Sequence, residues 1–326
     1  MTAPADPPPV SPEVPVLAEV VRSGFVESRH RGSVVGLDAR GAATLVLGDV
    51  ETPVFPRSSN KPAQAVGMVR AGLDLGAELL ALAAGSHSGE AVHLDGVRKI
   101  LAGAGLDETA LQTPPERPLD DRAYEAAVAS GAPRTRLRHN CSGKHAAMLA
   151  TCVVRDWPLD TYLSPEHPLQ VEIRQTFEEL TGEFVAATGV DGCGAPLYAC
   201  SLTGLARAFR VCVLAVPGTP ERRVADAMRA HPEYVGGTGR EATLLMAAVP
   251  GLVAKDGAEG VYAVALDDGR VVALKIEDGG ARPRAVVMSA ALRQMGLDSP
   301  ALDTLGRVPV LGHGEPVGRV RAVGLP

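Results

Sequence analysis

Two hydrophobic spacings share the chain: alternation at period two near the ends and helical spacing through the middle. Val16 to Val21 and Gly32 to Val50 read as strands, with Leu37-Asp38-Ala39-Arg40-Gly41 turning between Ser33–Gly36 and Ala43–Leu47. Val261 to Leu266 and Val271 to Ile276 flank Asp267-Asp268-Gly269-Arg270, the strongest hairpin signal in the chain. Between these ends the pattern is helical. After breaks at Pro53 and Pro56, a helix carrying Ser58 buries Ala65, Met68, Val69 and Gly72. Further helices are predicted from Glu90 through Leu101, over Asp121 to Ala129, from His139–His145 to about Val154, and over Glu166 to Leu180. Pro220 to Ala230 follows a Thr219 cap, with proline at the first helical position. Ala285 to Met295 is the last predicted helix, and the residues beyond it carry little pattern. Strands at both ends with helices between predict an α+β fold, in which an antiparallel sheet built from the two termini is flanked by helices and packs on a central helical region.

Composition narrows this picture. Hydrophobic residues make up 46% and aromatic residues 3%, so the core is to be built from Ala, Val and Leu. A chain of 326 residues with no clean linker is expected to form one catalytic domain over 16–326, behind a disordered Pro-rich tail over 1–15. The net charge is −6 with mixed signs and no long basic run, which disfavours nucleic acid as a partner. No apolar run approaches the roughly 18 residues of a membrane span, and Met1 to Pro15 lacks the layout of a signal peptide, so a cytoplasmic enzyme is expected. Five cysteines without an export signal point to metal or catalytic use of some thiols rather than to disulfides.

Candidate chemistry lies in glycine-bounded polar clusters that follow apolar runs. In Arg57-Ser58-Ser59-Asn60-Lys61-Pro62-Ala63-Gln64, Ser58 and Lys61 stand three residues apart, on one helical face. A neutral lysine amine takes the proton of such a serine, and burial beside a second cation favours that neutral form. Ser86-His87-Ser88-Gly89, His139-Asn140-Cys141-Ser142-Gly143-Lys144-His145, Val190-Asp191-Gly192-Cys193 and Lys255-Asp256-Gly257 follow in order. Ser-X-X-Lys and Lys-X-Gly are the first and third elements of the serine β-lactamase set; Ser86-His87-Ser88 stands where its Ser-Asp-Asn element would. Gly89 is expected to loosen the loop after Ser88.

In order and approximate spacing, these stretches resemble the asparaginase II family of L-asparaginases, the rhizobial inducible type, across about Val21 to Gly279. The resemblance implies a serine β-lactamase/glutaminase-like fold, hydrolysis of L-asparagine to L-aspartate and ammonia, and a homodimer. It implies two Ser–Lys pairs, Ser58 with Lys61 and Ser86 with Lys255. It implies zinc at Cys141, Lys144 and Cys193, and substrate contacts from Arg57, His145 and Asp191. To these we add Arg240, whose guanidinium suits a carboxylate or else stands as a surface charge after a turn.

Other readings of the same residues stay open. Thiolates suit zinc, whereas lysine ligates only when neutral; the alternative is that Cys141 and Cys193 are small buried residues, with Lys144 on the substrate. Ser86 and Ser88 read as caps of the helix beginning near Glu90, and Asp191 as an Asx-turn residue. The alternative functions are a glutaminase or another β-lactamase-like serine amidohydrolase, and a zinc-dependent asparagine-binding protein without activity.

Overall fold

The computed structural model describes residues 14–325. The expected tail over 1–15 therefore lies almost wholly outside the described residues. Its last two join the sheet: Gly32 N–H donates to Pro15 O and Arg31 Nη1 to Val14 O.

The strands are β1 (Val16–Arg22), β2 (Phe25–Leu37), β3 (Ala43–Leu47), β4 (Thr188–Val190), β5 (Pro196–Tyr198), β6 (Val253–Asp256), β7 (Val261–Ala265), β8 (Val271–Ile276), β9 (Val308–Gly312) and β10 (Glu315–Ala322). The helices are α1 (Lys61–Arg70), α2 (Ala77–Ala83), α3 (Ala91–Gly103), α4 (Asp121–Ala129), α5 (Ser142–Val154), α6 (Pro168–Thr181), α7 (Leu202–Leu214), α8 (Pro220–Ala230), α9 (Pro232–Val235), α10 (Glu241–Ala248), α11 (Arg284–Gln294) and α12 (Pro300–Leu305).

Eight strands make one antiparallel sheet in the order β6-β7-β8-β2-β1-β10-β9, with β3 paired to β2; β4 and β5 form a separate ribbon. The predicted α+β arrangement is borne out, and both predicted hairpins form as β2–β3 and β7–β8. Two differences have a common cause. Strand β2 begins at Phe25 rather than Gly32, because polar Glu27 to Arg31 gain a strand by pairing with β1. The weakly patterned end of the chain forms α12, β9 and β10, and β10 completes the sheet against β1. Half-exposed strands of mixed polarity take their structure from a neighbour that no local pattern reveals.

Helix α7 packs on β2, β7 and β8 and links the sheet to α6 and α8, while α11 packs on β1, β8 and β10. One apolar core runs through sheet and helices. It is made largely of Ala, Val and Leu, with Tyr162, Tyr198, Tyr262 and Phe177 as its large buried rings. Three lysines, Lys61, Lys144 and Lys255, are almost fully buried with them. Burying a charge is costly unless it is paired, so three such lysines mark the region that needs an explanation.

Candidate active site

The polypeptide enters the site at Arg57, whose φ of +50 is uncommon for a residue with a Cβ and is stabilised from outside. Its guanidinium reaches two carboxylates, Asp191 at 2.9 Å and Glu259 at 3.6 Å. Residues Arg57–Asn60 form a turn of 3-10 helix, and α1 starts only at Lys61. The predicted single helix through Ser58 is thus two pieces. Pro62, at the start of α1, has no N–H to give and so suits a first turn. Ser58 is half-buried, whereas Ser59 is fully buried and donates to Lys255 O at 3.0 Å.

The hydrogen bonds of the two lysines differ from the expected Ser–Lys contacts. Among the described residues Lys61 Nζ bonds not to Ser58 but to Ser86 Oγ at 2.9 Å and Gly85 O at 2.5 Å. Lys255 Nζ bonds not to Ser86 but to Asp256 O at 2.6 Å and Asp256 Oδ1 at 3.1 Å. The reason is geometric. Ser86 lies on the loop leaving α2 and presents its hydroxyl to the buried Lys61 amine, while a cation as buried as Lys255 takes the nearest carboxylate. Burial pulls the Lys255 amine down to about 8, a fall that Asp256 opposes and the nearby Lys61 and Arg240 reinforce. For Asp256 burial works the other way, yet Lys255, Arg240 and Arg284 outweigh it and hold the carboxyl far below its ordinary range.

Neither Ser86 nor Ser88 caps α3. The N–H of Glu90 goes to His93 Nδ1, and Ser88 Oγ donates to Gly236 O at 2.9 Å. Gly89 does not loosen this loop: it takes φ +79, and a Cβ there would stand 3.0 Å from Pro118. Behind Ser86, His87 is buried and stacked on His93, with ring centroids 5.2 Å apart. Its Nδ1 accepts from Gly89 N–H and its Nε2 donates to Ser142 Oγ. Burial, with His93 and Lys61 nearby, holds His87 well below its ordinary pKa.

The third predicted cluster also assembles. Lys144 Nζ stands 3.3 Å from Cys193 Sγ, and Cys193 Sγ stands 3.6 Å from Asp191 Oδ2. The hydrogen bond from Cys141, with Lys144 and His145, draws Cys193 far below the ordinary thiol range against burial, while that same bond and burial push Cys141 well above it. His145 Nδ1 meets Tyr162 Oη at 2.7 Å, and its Nε2 is buried with no hydrogen-bond partner among the described residues. Burial draws His145 down to about 4, against the pull of Cys193. Arg240 is no free surface charge, because it pairs with Asp256 at 3.0 Å.

Thus Ser58, Lys61, Ser86, Lys255, Arg57, Asp191, Cys141, Lys144, Cys193 and His145 come from five separate segments and meet in one region. Contacts between the segments hold them there: Ser59 on Lys255 O, Arg57 on Asp191, and His87 N–H on Asn140 O at 3.1 Å. The family model for L-asparaginase II matches residues 18–322. The chain belongs to the asparaginase II family. It is therefore an amidohydrolase of the asparaginase type. No curated protein matches this asparaginase II chain. Among solved structures, a β-lactamase from Mycobacterium bovis is 13% identical, with 87% of this chain and 97% of that one covered and a TM-score of 0.45. A glutaminase from Bacillus is 10% identical, covers 82% of this chain and 92% of its own, and has a TM-score of 0.36.

Sequence reasoning misses the second layer of the site. Asp256 lies inside the Lys-X-Gly motif, at the one position where the motif specifies no residue. Tyr162, Glu241, Tyr262 and Arg284 carry no motif signal, and only burial and distance reveal them.

Proposed function

We propose that this asparaginase II chain hydrolyses the side-chain amide of L-asparagine through an ester on Ser58. The observation that carries this reading is the buried 2.9 Å contact between Lys61 Nζ and Ser86 Oγ, one turn beyond Ser58. Ser58 Oγ attacks the amide carbon, and its proton passes to the Lys61 amine. Backbone N–H groups at the start of the turn hold the oxyanion, each contributing about 10²–10³ in rate in comparable sites. Ser86, hydrogen-bonded to Lys61, relays the proton to the departing amine, so the C–N bond breaks with release of ammonia. Water then attacks the ester carbonyl, aspartate leaves, and Ser58 recovers its proton. Lys255 lends its field to this relay through its closeness to Lys61, in place of the direct hold on Ser86 expected from sequence.

Asp191 and Arg57 suit the zwitterionic end of the substrate. They pair with each other at 2.9 Å, and an α-ammonium and an α-carboxylate can replace that contact with two like it. His145 assists from beside Cys193. Arg240 acts through Asp256 rather than on substrate.

Cys141 and Cys193 offer two soft sulfur donors of the kind zinc takes, though among the described residues no third His, Cys, Asp or Glu joins them in a metal-holding group. Lys144 would complete the set only after losing its proton, which burial favours and the neighbouring Cys193, Cys141 and Asp191 together oppose and outweigh. Bound there, zinc would fix the Asp191 loop and tune substrate affinity. Elemental analysis of untagged protein incubated with zinc decides this; absence of the metal removes it from the account.

Ammonia release from asparagine, measured beside glutamine, tests the main proposal. One methylene separates the two amides and is worth about 1–3 kcal/mol in a simple pocket. The expected result is preference for asparagine and loss of turnover in Ser58→Ala. Equal or better turnover of glutamine would reassign the substrate, and an acyl group trapped on Ser86 would reassign the nucleophile.

A further inference from the structure

Arg284 is the first residue of α11 and is only 8% exposed. Nothing in its local setting favours a cation there. The N-terminus of a helix carries partial positive charge, and the first turn of α11 has no acidic residue to offset it. A residue that breaks a local rule this plainly is expected to serve a structural or functional demand elsewhere.

Its contacts show what that demand is. Nε and Nη2 donate to Glu241 Oε2 at 3.1 and 3.0 Å, and Nη1 donates to Gly257 O at 2.9 Å. Nη2 also stands 3.4 Å from Asp256 Oδ2, and the guanidinium lies 5.7 Å above the centre of the buried Tyr262 ring. One planar fork thus ties α11, α10 and the end of β6 together. The β6 end is the stretch Lys255-Asp256-Gly257. Asp256 Oδ1 holds the Lys255 amine, and Gly257 lies against the Ser58 turn, where an added Cβ would come 2.6 Å from Pro56 O.

We propose that Arg284 is a positioning residue, holding Asp256 and the Gly257 carbonyl so that the Lys255 amine keeps its place beside the Ser58 turn. This rests on the asparaginase reading of the site but adds a residue that no motif assigns. Arg284 touches no reacting atom; it acts through Asp256 and Gly257 on Lys255. A bidentate geometry is required, because Glu241 and Gly257 O lie on different edges of the guanidinium. Lysine, with a single point charge, cannot span both. The carboxylate of Asp256 faces Lys255, Arg240 and Arg284 together, so removing Arg284 leaves its negative charge less compensated and strengthens its hold on the Lys255 ammonium.

The experiment uses the full chain and the variants Arg284→Gln and Arg284→Lys, each alone and with Lys255→Met. Displacement of a catalytic group by about 1 Å costs on the order of 10²-fold, so each single Arg284 variant should lower kcat for asparagine by about that factor, with KM nearly unchanged. In the Lys255→Met background neither variant should lower kcat further. Nitrogen NMR of lysine Nζ, followed against pH, should show Lys255 titrating at higher pH in Arg284→Gln, where the charge beside Asp256 is lost, and less moved in Arg284→Lys, which keeps it. The Lys variant keeps the charge near the helix start and so separates lost geometry from unfolding; melting temperature is recorded for each. An unmoved Lys255 signal in Arg284→Gln overturns the proposal, as does a full further loss of kcat in the Lys255→Met background. If the wild-type chain releases no ammonia from any amide, the asparaginase reading fails, while the Nζ titration still decides whether Arg284 governs Lys255.

Discussion

Lys61 Nζ meets Ser86 Oγ at 2.9 Å although the two residues lie 25 apart in sequence. Lys61 thus follows Ser58 by three residues in the chain and touches Ser86 directly. A single buried amine so placed can collect a proton from one hydroxyl and pass it through the other. Ser86→Ala should lower kcat for asparagine by about 10²–10⁴, the usual worth of a positioned acid–base group, while the acyl group still forms on Ser58. Steady-state kinetics with peptide mapping of the trapped ester checks both parts; wild-type kcat in Ser86→Ala would remove the relay.

The Arg57–Asp191 pair predicts a different kinetic signature. If both charges bind the amino-acid end of the substrate, Asp191→Asn should raise KM at least about tenfold and lower kcat by less, as loss of uniform binding does. Arg57→Lys should behave similarly, since an ammonium lacks the fork that serves two carboxylates. Saturation curves for both variants test this. An unchanged KM would place substrate recognition elsewhere.

Gly257 is predicted to tolerate no side chain. A Cβ there would stand 2.6 Å from Pro56 O and 3.0 Å from Ser59 Oγ, and the first of these is backbone that carries the Ser58 turn. Gly257→Ala should cost about 1–3 kcal/mol in stability by overpacking. It should also lower kcat, because the strain falls on the turn itself. Denaturant unfolding and kinetics on the same sample check this; a variant of unaltered stability and rate would show that the turn yields freely.

Lys255 makes stability depend on alkaline pH. The unfolded side chain titrates at about 10.4, whereas burial lowers it to about 8 in the fold. Between these values the unfolded chain binds the extra proton, so the cost of holding a buried ammonium is present below about pH 8 and is relieved as pH rises toward 10. Each tenfold change in proton affinity is worth about 1.36 kcal/mol, so stability should gain up to about 3 kcal/mol across that window from this group. Lys255→Met should remove the gain. Urea midpoints between pH 7 and 10 for the two proteins measure the difference, and parallel curves would refute it.

The sequence by itself determined much of this protein. Turn residues bounded by apolar alternation specify β2–β3 and β7–β8, because a hairpin is a local structure. Helical spacing and caps located α3, α5, α6, α8 and α11 for the same reason. The ordered clusters from Arg57 to Gly257 named the residues that gather in the site. What only the tertiary structure decided is how they pair. A spacing of three suggested Ser58 with Lys61, but the buried amine reaches Ser86, which arrives from a different loop. Lys255 takes Asp256, beside it in the chain, because desolvation makes the closest carboxylate the strongest partner. β10 pairs with β1 and Arg284 reaches Gly257 across contacts that carry no local signature. Periodicity records which face of an element is buried; it does not record what that face meets.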